Sequence, residues 1–128
     1  MTQDYKKLII WKKAHELTLE IYKISKKLPD DEKFGLVSQL RRAVTSIELN
    51  IVEGTTGSNK MFQKFLITAK GSSKETECIL HICKDLGYIS PDIFLRLTKD
   101  IQILQASIQN LINRINLPNP PNTKPSKP

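Results

Sequence analysis

The sequence predicts an all-α fold: an antiparallel up-down-up-down four-helix bundle followed by a proline-rich tail. Three observations predict it. Apolar residues recur at steps of three and four along four separate stretches, as they do on one face of a helix. The breaks between stretches are short and carry Pro, Gly, Asp or Ser. No stretch alternates apolar and polar residues in the manner of a half-buried strand. Short connections make consecutive helices run antiparallel. The 128 residues are enough for one domain, expected as a bundle over 1–116 and a tail over 117–128.

In the first stretch Ile10, Ala14, Leu17, Ile21, Ile24 and Leu28 form one stripe, ended by Pro29-Asp30-Asp31, where an aspartate is suited to capping the next helix. The second stripe is Val37, Leu40, Val44, Ile47 and Ile51, closing at Gly54, a residue suited to a left-handed helix end. After Thr55-Thr56-Gly57-Ser58-Asn59 the third stripe runs through Phe62, Leu66, Ala69, Ser73, Thr76, Leu80 and Cys83, with Gly87 as its stop. Ser90 then offers an N-cap with Pro91 at the first helical position. The fourth stripe is Phe94, Leu97, Ile101, Leu104, Ile108, Leu111 and Ile115. Five of the seven prolines fall in the last thirteen residues, which hold almost nothing apolar, so that tail is expected to stay extended and mobile.

Composition excludes several classes. No apolar run approaches the ~20 residues that cross a bilayer, so no membrane partner is expected, and residues 1–10 lack the apolar core of a secretory signal. Cys78 and Cys83 sit five apart and point about 140° away from each other on a helix, which disfavours a local disulfide. A reduced, cytoplasmic protein is the expectation. Twenty Lys+Arg against thirteen Asp+Glu give a net charge of +7, a balance that suits a polyanionic partner. The excess is uneven: residues 1–28 hold seven lysines and three acids, whereas 29–57 hold three basic and five acidic residues.

Catalytic motifs are scarce. Of Cys78, His81 and Cys83, only Cys78 and His81 share a helix face, and two ligands do not make a zinc site. The loop 54–60 feeds a helix N-terminus and contains glycine, yet it lacks the residue order and preceding strand of a P-loop, so an interhelical turn is the simpler reading. Glu53 with Glu75 is the one carboxylate pair worth naming as an acid–base site. No catalytic residue, metal or cofactor is therefore assigned, and a non-enzyme is expected.

Two polar patterns remain. Opposite the second apolar stripe lie Gln39, Arg42, Ser46, Asn50 and Glu53, and the third helix offers a soft patch at Thr68, Gly71, Ser72, Glu75 and Thr76. These are either a solvated face or a close contact between helices, where a satisfied Arg–Glu pair would specify an oligomer interface more than stabilise it. Lysines form the other pattern: Lys6, Lys7, Lys12 and Lys13 around the first helix, and Lys60, Lys64, Lys70 and Lys74 along the third. Lysine patches suit phosphate contact, which gives affinity without reading sequence; solvated helix faces are the alternative. Aromatic stacking platforms are not expected, because Trp11, Tyr5, Tyr22 and the four phenylalanines mostly fall on or beside the apolar stripes.

The stretches LIIWKKAHELTLEIY (8–22), LPDDEKFGLVSQLRRAVTSIELNIVEG (28–54), FLITAKGSSKETECIL (65–80) and DLGYIS (85–90) together resemble one family. It is the four-helix bundle family named after open reading frames in intervening sequences of bacterial 23S ribosomal RNA genes. The resemblance covers about residues 4–115, with its core motif at 39–54. It implies a bacterial, cytosolic homopentamer shaped as a barrel-like ring, and a more distant similarity to the accessory proteins of diversity-generating retroelements, which associate with nucleic acid and a reverse transcriptase. Its motif residues fall here on Gln39, Arg41, Arg42, Ser46, Asn50, Glu53, Gly54, Gly71, Ser72 and Glu75, expected to fix the second helix against the third and against a neighbouring subunit. Thr45 and Glu48 depart from the pattern, where a small residue and often proline is expected, and Thr55-Thr56-Gly57 stands where an aromatic often does. The function expected is a non-enzymatic oligomer that associates with RNA or DNA; the alternative is an adaptor for a protein partner such as a polymerase, docking through the basic surface or the tail.

Overall fold

The computed structural model describes residues 4–116; the proline-rich stretch 117–128 lies outside the described residues. Four helices follow one another: α1 (Ile9–Ser25), α2 (Leu36–Gly54), α3 (Asn59–Asp85) and α4 (Pro91–Asn116), with 3₁₀ turns at Tyr5–Lys7 and Asp30–Glu32. There is no strand among the described residues. α2 packs on α1 and α3, and α4 closes the bundle against α3 and α1, so α1 and α3 occupy opposite corners.

The apolar stripes of the first three helices are buried throughout, including the small polar members Ser73 and Thr76 of α3, both fully buried. Leu28 reaches the core from the connection rather than from α1, which stops at Ser25. In the last turns of α4 the buried residue is Ile112, while Leu111 and Ile115 are half-buried. A strict three-four step drifts off the core there, because 3.6 residues per turn do not divide seven evenly.

The helix ends explain the boundaries. Ser58 Oγ accepts the Met61 N–H at 3.2 Å and Ser90 Oγ accepts the Ile93 N–H at 3.1 Å, capping α3 and α4. α3 ends in a Schellman turn: Tyr88 N–H bonds the Cys83 carbonyl at 2.8 Å and Gly87 N–H the Lys84 carbonyl at 2.9 Å. Gly87 supplies the required left-handed backbone at φ 79°. Two expected ends differ. Neither Asp30 nor Asp31 caps α2; both lie in the 3₁₀ turn, and Glu32 reaches forward to accept the Leu36 N–H at 3.2 Å. Gly54 is not left-handed but completes α2, and its lack of a side chain serves packing. A Cβ there would lie 2.6 Å from Phe62 Cδ1.

Each seam carries its own polar clip. Arg41 Nε donates to Ser25 Oγ at 2.8 Å and His15 meets Glu48 at 3.0 Å between α1 and α2. Ser46 meets Ser72 at 2.9 Å between α2 and α3. Gln102 and Gln105 donate to Glu77 at 3.2 Å each between α3 and α4, and Arg96 pairs with Glu20 at 2.6 Å between α4 and α1. At one end Tyr88 Oη donates to Glu32 Oε2 at 3.1 Å, joining the two connections. Because the clips differ in chemistry, a bundle assembled with its helices in another order would leave partners unmatched.

Candidate nucleic-acid interface

Along α3 the side chains of Lys60, Lys64, Lys70 and Lys74 fall within an arc of about 120°. Three are exposed, and Lys70 is half-buried with its Nζ donating to Gln109 Oε1 at 2.7 Å. None of the four is ion-paired among the described residues. The same outer face holds Ile67, Gly71, Glu75 and Cys78, so lysines and motif residues interleave on it. Lys12 and Lys13 are exposed on α1, with Lys6 and Lys7 in the turn before it. Lys13 shares a small cleft with Glu16, Glu20 and Asp100, which offset its charge, whereas Lys7 lines a cleft with Arg114. Because α1 and α3 lie on a diagonal, the two lysine sets form two patches, not one surface on a single chain.

The motif residues also divide. Ser46, Asn50 and Ser72 meet at the α2–α3 seam, where Asn50 Nδ2 donates to the Ser46 carbonyl at 2.8 Å and to Ser46 Oγ at 3.0 Å. Arg41 turns to α1 instead, stacking on Tyr22 with its guanidinium 4.7 Å from the ring centre. Gln39, Arg42, Glu53, Gly71 and Glu75 are exposed. Arg42 and Glu53 form no buried pair within the chain, since eleven residues of helix separate them by about 16 Å. Glu53 lies in the last turn of α2, near the start of α3, whereas Glu75 lies about 24 Å further along α3, too far for shared acid–base work. A Cβ on Gly71 would meet nothing within 4 Å, so no close approach inside the chain accounts for this glycine.

At the departures from the family pattern, Thr45 Oγ1 donates back to the Arg41 carbonyl, and Glu48 holds His15 Nδ1. The His15 ring stacks on Trp11 at 4.7 Å, and Trp11 meets Tyr5 edge-on at 5.1 Å. Cys78 is exposed and Cys83 buried, so the two thiols do face apart. Burial pushes the Cys83 thiol up, with the Glu32 carboxylate adding to the effect. His81 sits edge-on to Phe94 at 4.6 Å.

One basic region was not expected. Phe34 is 89% exposed, on the rim of a groove of about 430 Å³ lined with Lys33, Arg41 and Arg42. The sequence signal is present but easy to misread. Phe34 stands three residues before Val37, on the line of the apolar stripe if the helix continued backwards, but the backbone breaks at Gly35 (φ −110°, ψ −108°) and turns the ring outward.

The model of the 23S rRNA-intervening sequence protein family matches residues 6–110. Among solved structures, a protein of unknown function from the S23 ribosomal protein family of Bacteroides thetaiotaomicron is similar, with a TM-score of 0.76 and 25% identity over 82% of this chain and 96% of that one. No curated protein matches.

Proposed function

The chain belongs to the 23S rRNA-intervening sequence protein family, and from that premise we propose that it is a non-enzymatic, cytoplasmic homo-oligomer that associates with nucleic acid through phosphate contacts. One observation carries the reading: the outer face of α3 presents four lysines without an ion-pair partner among the described residues, in a protein of net charge +7. Unpaired cations repeated along one helix attract phosphates and release their counterions. Lysine, a compact charge on a flexible stem, contributes affinity rather than sequence readout.

Self-association is the second half of the proposal. Ile67 on α3 is 55% exposed, one helical turn from Gly71, a glycine whose small size nothing within the chain requires. A second copy approaching this face would cover Ile67 and use the space at Gly71. A pentamer follows from the family resemblance.

Purified protein stripped of nucleic acid would be offered a labelled structured RNA, a matched duplex DNA and a scrambled RNA. Its mass would be read by light scattering in the same buffer. The expected result is binding by a species near 73 kDa, five times the 14.6 kDa chain. A well-formed oligomer that binds none of the three would refute the nucleic-acid half; a 14.6 kDa particle would refute the oligomer.

A further inference from the structure

We infer that the corner between α1 and α2 is a separate site for unpaired single strands, in which Phe34 stacks on an exposed base while Lys33 and Arg42 meet the adjoining phosphates. The inference rests on the nucleic-acid reading above and adds a second, base-contacting site to it.

Exposure alone says little, since single apolar residues are common on protein surfaces. Here the ring belongs to a constellation. The groove beside it is lined with three cations, Lys33, Arg41 and Arg42, and by no carboxylate, whereas Asp30 shares the neighbouring cleft with Lys33 and Arg41. None of the three cations is ion-paired among the described residues. Lys33 Nζ lies 5.6 Å from the Phe34 ring centre. Arg41 is held in place by Ser25 and by its stack on Tyr22, and so forms a fixed part of the groove. A flat apolar ring beside unpaired cations matches a nucleotide, which presents a flat base joined to an anion.

The platform is also braced. Two residues before Phe34, Glu32 accepts the Leu36 N–H through one carboxylate oxygen and the Tyr88 hydroxyl through the other. The Gly35 N–H bonds the Glu32 carbonyl at 3.0 Å. Phe34 is thus flanked on both sides by fixed backbone, and a base stacking on it orders little protein. From Leu36 to Arg42 the helix rises about 9 Å, so a strand with one base on Phe34 carries a neighbouring phosphate along α2 towards Arg42. Duplex nucleic acid keeps its bases stacked inside and offers the ring nothing.

Three probes of equal length separate this site from the α3 lysines: a labelled single-stranded adenine-rich RNA, an abasic ribose-phosphate strand, and a duplex. Phe34→Ala is expected to weaken the single strand by about 5- to 150-fold, leaving the abasic strand and the duplex unchanged. Phe34→Tyr keeps a ring and is expected to keep the affinity. Arg42→Gln is expected to weaken the single strand and the abasic strand, to lower their salt dependence by the share of about one phosphate, and to leave the duplex unchanged. Equal weakening of the three probes by Phe34→Ala would overturn the inference, as would no change, or a fall in oligomer mass. If the unmodified protein binds no probe, the broader nucleic-acid reading fails and this site with it.

Discussion

The outer face of α3 and the corner at the start of α2 both present cations without an ion-pair partner among the described residues, yet they are built differently. Three of the four α3 lysines stand in solvent on flexible stems. At the corner, two arginines and a lysine line a groove, and a ring is held at its rim by a turn that Glu32 fastens from both sides. The first arrangement suits a charged rod of any sequence. The second suits an object with a flat face. Net charge separates the two regions as well, since Asp30, Asp31 and Glu32 immediately precede the corner's Lys33; what the corner adds is a flat ring beside its cations.

The largest expected effect breaks the comparison at α3. Changing Lys60, Lys64, Lys70 and Lys74 together to glutamine should flatten log affinity against log salt by roughly 0.7–0.9 for each phosphate the protein no longer neutralises. Single strand, abasic strand and duplex should all weaken, measured by titration at several salt concentrations. An unchanged slope would show that the α3 lysines touch no phosphates.

Next comes Gly54→Ala, which places a methyl 2.6 Å from Phe62 Cδ1 and 3.1 Å from Phe65 Cβ beneath the first turns of α3. A loss of about 1–3 kcal/mol of stability is expected, read from denaturant unfolding. The α3 face should suffer more than the corner, because α3 loses its seating on α2.

Gly71→Ala sharpens the comparison instead. Its methyl meets open space within the chain, so the isolated chain should gain about 0.5–1 kcal/mol from helix propensity. If a second copy packs on this face, the light-scattering mass should fall. The α3 lysines would then border an interface, and the corner would be the freer of the two basic regions.

The smallest effect lies in alkali. The Tyr88 hydroxyl is pushed up by its hydrogen bond to Glu32, and the Cys83 thiol by burial. Both groups keep their protons in the folded chain at a pH where the unfolded chain loses them. Stability should therefore fall as pH rises past about 9 for the thiol and about 10 for the phenol. Tyr88→Phe should remove the phenol's share of that fall, seen by comparing melting temperatures at pH 8 and about pH 10.5.

What the sequence made legible follows from what is local. Helix count, order and core were readable because burial on a helix repeats every 3.6 residues, and Ser58, Ser90 and Gly87 act on their own neighbours. The α3 lysine face was readable for the same reason. The exposure of Phe34 was not, because it depends on one backbone break at Gly35 that rotates the ring off a stripe it would otherwise continue. Nor was the partner of Glu48: a residue that departs from the family pattern finds His15, thirty-three positions away, through the packing of two helices. The separation of the α1 and α3 lysines likewise depends on which helices are neighbours, which spacing along one helix does not encode.

The most direct test is the salt dependence of binding by the unmodified protein to a labelled structured RNA, between roughly 50 and 200 mM salt. If about six phosphates are touched, affinity should fall by about 10³-fold or more across that range. Binding that ignores salt, or no binding by the folded protein at the lower concentration, would contradict the proposal that the lysine faces of this bundle meet nucleic acid.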